Sequence, residues 1–218
     1  MKTKYLLLFI SLCGLVVTPN IIHAESFYTE PSNSLPSRVG GKSRGTSGEP
    51  IQVLVLAPDH TGLTTRERPT LYWYQSDSTT NEIEITIVDD NLIEPVLETR
   101  LKGSKETGIH PLNLEKLGIA LKKDIEYRWF VAVVNDAEQR SADVITGGTI
   151  MRVDRSRLDG ITALNGTARE KFTALAKAGI WYDAMDTISS EITRTGDEGL
   201  IKTRAELLSQ VGLKDATK

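Results

Sequence analysis

The chain of 218 residues carries 26 Lys and Arg against 29 Asp and Glu, a net charge of −3 at neutral pH. A mildly acidic balance provides no electrostatic footprint for nucleic acid or an anionic membrane surface. A single cysteine excludes an internal disulfide framework, and the length allows one or two domains.

The start of the chain reads as an export signal. Lys2 and Lys4 precede an apolar run over 5–17, Pro19 and Asn20 break it, and Ile22-His23-Ala24 ends on a small residue. This is the grammar of a secretory signal peptide over 1–24, cleaved near Ala24, and it predicts a periplasmic or secreted protein. The run is too short for a membrane span, which needs roughly 20 residues. Lipid attachment at Cys13 is not expected, because Leu12 before it is not small. Removing 1–24 takes away two lysines and no acids, so the remainder carries −5 and no cysteine. Its stability then has to come from a hydrophobic core.

Residues 25–48, rich in Ser, Gly and Pro, read as a flexible leader. GGKSRGTSG within it resembles a phosphate loop only superficially: Pro36 stands where that pattern needs glycine, and no strand precedes it.

From 49 to 155 the pattern is that of strands. IQVLVLAP is a short apolar run and RPTLYWYQ is rich in aromatic and β-branched residues. EIEITIV alternates, with Ile83, Ile85 and Ile87 on one face. Further strands are expected over 94–101, at IHPLNL, at IEYRWFVAVV and over 142–153, where Gly147-Gly148 marks a bulge or a close backbone approach. Seven short strands without intervening helices predict a β-sandwich of fibronectin type III or immunoglobulin-like kind. Leu121 and Tyr127 are spaced as in a tyrosine corner. Trp73 and Trp129, among alternating apolar neighbours, are expected in the core.

From 156 to 218 the period becomes helical. Thr167 and Glu170 fit a capping box, and Gly179-Ile180 closes the first helix. Trp181, Ala184, Met185, Ile188 and Ile192 form one stripe on a second helix. Thr195 to Glu198 reads as another capping box, opening a third helix that ends at Gly212-Leu213. The glycine, aromatic and alanine of AGIWYDA are spaced as in a tetratricopeptide hairpin. One hairpin is not an array, so it should dock on the sandwich.

No catalytic, cofactor-binding or metal-binding residue is assigned. His60 and His110 have no partner at ligand spacing and are expected as surface loop histidines. Asp183 and Asp186, three apart on the second helix, are the one carboxylate pair of interest. They fall opposite the apolar stripe, towards water, where they complement the helix dipole. The competing reading is a carbohydrate-active protein or other hydrolase that uses Asp183 and Asp186 with an exposed aromatic. Tyr182, which the stripe leaves unassigned, is open as a contact residue.

TGLTTRERPTLYWY, EYRWFVAVVNDAEQRSADVITGGTIMRV, AKAGIWYDAMDTI and LLSQVGL together resemble the bacterial family of the domain of unknown function DUF928, over about residues 44–213. A looser match is the upstream stretch from Gly40 to Gly45. The resemblance implies an exported protein with a role at the cell envelope and supplies no site residue. Many members have cysteines in the leader and after the central strand; here Asn135 follows Val134, so any such disulfide is absent. The expected function is a non-enzymatic binding module, without cofactor, for another envelope or secreted protein or a surface polymer.

Overall fold

The computed structural model describes residues 26–31, 38–40 and 51–217; the expected signal peptide and most of the leader lie outside them. Eight strands form two sheets: β1 (Val53–Val55), β2 (Gly62–Thr64), β3 (Thr70–Gln75), β4 (Ile83–Asp89), β5 (Leu97–Leu101), β6 (Gly108–Asn113), β7 (Glu126–Val133) and β8 (Val144–Arg152). The smaller sheet has the order β1-β3-β6 and the larger β2-β8-β7-β4-β5. Three helices follow: α1 (Ala168–Lys177), α2 (Trp181–Thr195) and α3 (Glu198–Gln210). Among the described residues no helix is long and apolar enough to cross a membrane.

The alternation of EIEITIV sets the register of the larger sheet. Ile83, Ile85 and Ile87 lie opposite Val133, Val131 and Trp129 of β7, and all six side chains are buried. A one-residue slip would turn this set to the other face. On the other side of β7, Gly147 and Gly148 of β8 face Phe130 and Trp129 in unbroken register. Of the two readings of this glycine pair, close approach is the one that holds. A Cβ on Gly148 would lie 2.5 Å from the Ala57 Cβ, and one on Gly147 would lie 2.4 Å from the Phe130 ring.

Tyr127 forms the expected tie: its hydroxyl accepts from the Lys122 backbone N–H at 3.0 Å. Trp73 and Trp129 are buried in the core. The strand that sequence reasoning missed is β2, three residues pairing in parallel with Ile150–Arg152 of β8. It is too short to show alternation.

Glycines set the helix ends. Gly179, at φ 74°, ends α1: the Ile180 N–H bonds the Leu175 carbonyl and the Gly179 N–H that of Ala176. This is a Schellman closure, and Gly212 with Leu213 repeats it after α3. The Thr167–Glu170 capping box is present in both directions. The second expected box is not: Thr195 is the last residue of α2, left-handed Gly196 ends that helix, and Asp197 caps α3 through the Leu200 N–H.

Sheets and helices share one core. A single cluster of buried side chains runs from Val53 through Trp129 to Leu213. The described parts of the leader, expected to be flexible, are seated on this body. Val39 exchanges both backbone hydrogen bonds with Gly147, and Arg38 donates to the Ala57 and Val211 carbonyls. Tyr28 is buried, edge-on to Trp181 with ring centroids 5.1 Å apart.

Candidate functional site

The start of α2 is enclosed on more than one side, and this redraws the expected roles of its residues. Trp181 through Met185 are all buried. The Trp181 indole donates to the Leu56 carbonyl at 2.8 Å. Tyr182, expected to be open as a contact residue, is buried instead. Its hydroxyl accepts from the Trp129 indole and donates to the Thr149 carbonyl, both at 2.9 Å. Gly62 leaves the space for its ring, since a Cβ there would come within 2.6 Å of it.

Asp183 does not face water. It is 3 % exposed, and its carboxylate accepts from the Thr64 hydroxyl at 2.5 Å, the Thr65 hydroxyl at 2.5 Å and the Thr65 N–H at 3.1 Å. Donors brought by the end of β2 and the residue after it thus replace the water that helical spacing alone assigned to it. Asp186 is half-buried and holds the Arg66 guanidinium and the Tyr72 hydroxyl. Burial, and then the charge of Asp186, push the Tyr72 phenol well above its ordinary value.

The two carboxylates open onto different clefts. Asp183 lines one beside Arg66, Arg155 and Lys171; Asp186 lines another beside Tyr72 and Arg204. They do not flank a common space, as paired acid and base groups must. Trp73, Trp129 and Trp181 are each at most 3 % exposed, so no tryptophan among the described residues supplies the exposed aromatic of the hydrolase reading.

His60 is likewise not a surface residue. It is buried, and its Nε2 lies 2.8 Å from the Tyr28 hydroxyl, with the rings stacked at 5.6 Å. Burial draws its pKa below the ordinary 6.5, against the pull of Glu30 and Asp59. His110 stacks on Trp73 at 4.7 Å, and its pKa is also lowered, mainly by burial. As pH falls below about 6.5, the unfolded chain takes up these protons before the folded chain does. Stability that is complete above that pH is therefore lost as pH drops towards the folded-state values. Melting temperatures between pH 7.5 and pH 5 should fall less steeply for His60→Gln than for the parent. Equal slopes would show that His60 is not part of the acid response. Among the described residues no group of three or more His, Cys, Asp or Glu is placed to hold a metal ion.

One surface feature that gathers polar groups beside an apolar wall is the cleft that Asp186 borders. It has a volume of about 520 Å³ and lies between the outer face of β3–β6 and helices α2 and α3. Its size falls within the roughly 300–1,000 Å³ of small-ligand sites. Ile109, Pro111, Leu112 and Leu117 make an apolar wall, and Ser190, Thr193, Arg204 and Lys116 a polar one. Arg204 donates to the Ser189 hydroxyl at 3.2 Å and makes no ion pair among the described residues. Burial lowers its pKa, with the nearby Tyr72 opposing. No sequence motif marks Arg204, because the sheet residues opposite it come from far along the chain.

A family model described as Domain of Unknown Function (DUF928) matches residues 39–218. No curated protein matches the chain.

Proposed function

This chain belongs to the DUF928 family, and we propose that it acts as a non-enzymatic binding module exported to the cell envelope, seating its ligand in the cleft between sheet and helices. The observation that carries this reading is the division of labour among the polar groups. Asp183, Tyr182 and the indoles of Trp129 and Trp181 are all spent on docking the helices. The half-buried Arg204 guanidinium faces the cleft with one hydrogen bond. The signal-peptide pattern of 1–24 supports export.

We read the strand-rich body as a fibronectin-like sandwich. The division of strands between two sheets and the Tyr127 corner support this. The Gly179 hinge and the Trp181–Ala184 spacing support a tetratricopeptide-like hairpin that is not one unit of an array; its second helix, α2, joins α3 as a wall of the cleft. Fold likeness does not by itself fix function, so the test addresses the cleft. Immobilised protein is exposed to envelope extract alongside Thr193→Trp, which fills the cleft from an exposed position of α2. A component held by the parent and lost by the variant is expected. Equal capture by both, or none by either, would sink the reading.

A further inference from the structure

We propose that this cleft receives the carboxyl terminus of a partner polypeptide, with the terminal carboxylate on the Arg204 guanidinium and the last apolar side chain against Ile109, Pro111 and Leu117. The proposal rests on the reading of the protein as a binding module and names the chemistry of its ligand.

Four observations select this chemistry. First, a guanidinium has five N–H donors, and Arg204 uses one of them on Ser189, which fixes the fork without neutralising it. The carboxylate in the same cleft, Asp186, is already matched by Arg66 and the Tyr72 hydroxyl. Arg204 and Lys116 therefore leave the cleft with positive charge to spare. Second, the planar fork suits a carboxylate, which it can bind through two parallel hydrogen bonds.

Third, no helix N-terminus lines the cleft. α2 contributes Asp186, Ser189, Ser190 and Thr193, and of these only Thr193 lies in the last turn, where the dipole is negative. A singly charged carboxylate suits such a place better than a phosphate dianion. Fourth, the wall beside Arg204 is aliphatic, with Leu101 at 37 % exposure on its edge. The one aromatic lining it, Tyr72, is 7 % exposed and its hydroxyl is committed to Asp186. A sugar acid would want an open ring to stack on; an apolar side chain fits the aliphatic wall.

The test is a titration of isotope-labelled protein, followed by NMR, with three probes. These are acetylated glycyl-valyl-leucine with a free carboxyl terminus, the same tripeptide as its amide, and an oligogalacturonate. The free acid should give saturable shifts at the Ser190 and Thr193 amides and the Arg204 Nε–H. Loss of a charge-assisted pair should make the amide bind at least about tenfold more weakly. Arg204→Gln should lose at least about as much affinity for the acid at an unchanged melting temperature, and Arg204→Lys should fall between. The proposal is overturned if acid and amide bind alike, if Arg204→Gln binds the acid as the parent does, or if the acid gives no saturable shift. The comparison of acid with amide on the parent decides the matter even if a variant is unstable. Saturable binding of the oligogalacturonate alone would also overturn it, while leaving the cleft a binding site.

Discussion

Trp181→Ala should destabilise the protein by about 3–5 kcal/mol, the usual cost of removing a large buried aromatic. Trp181 has no exposed surface, packs edge-on to Tyr28, and carries the hydrogen bond from α2 to the Leu56 carbonyl. Its removal opens a cavity at the meeting point of leader, sheet and helix and leaves that buried carbonyl without its donor. Urea unfolding followed by the fluorescence of Trp73 and Trp129 would measure the loss. A midpoint close to that of the parent would mean that the helices do not depend on this anchor.

The second large effect is expected at Asp183. Asp183→Ala strands the two threonine hydroxyls and the Thr65 N–H that its carboxylate receives. Unmet buried donors and lost charge-assisted bonds make a cost of about 3 kcal/mol reasonable. Asp183→Asn keeps one acceptor oxygen, and the threonine hydroxyls can rotate to accept from its amide, so it should recover part of the loss. Asp186→Ala breaks an ion pair whose Arg66 partner is well solvated and releases the Tyr72 hydroxyl, so it should cost less than Asp183→Ala, about 1–2 kcal/mol. Thermal melts of the three variants give this ranking directly. If Asp183→Ala and Asp186→Ala both melt like the parent, neither carboxylate is structural, and the case for a chemical role reopens.

Local periodicity made much of this legible from sequence. The alternation of Ile83, Ile85 and Ile87, the Tyr127 corner bond, the closure at Gly179 and the Thr167 capping box are each written within a few residues. What stayed hidden depends on neighbours distant along the chain. Helical spacing assigns Asp183 to solvent because it assumes that one side of α2 is covered. The end of β2 and the start of the turn after it, about 120 residues earlier, cover another and supply its donors. His60 reads as a surface residue until Tyr28 closes over it. The second capping box failed for a local reason: left-handed Gly196 separates Thr195 from α3, so Asp197 takes the cap. Arg204 is one more cation on an amphipathic helix until the outer face of β3 and β6 is laid beside it.

The proposed binding cleft has one wall of sheet and one of helix, so it exists only while the two remain a single body. The most direct test of that unity is equilibrium denaturation of the parent protein, with tryptophan fluorescence and helical circular dichroism recorded on the same samples. A shared core predicts that the two signals change together in one transition with one midpoint. Loss of the helical signal at lower denaturant than the fluorescence change would contradict it, because the helices would then be an appendage and the cleft no fixed feature of the fold.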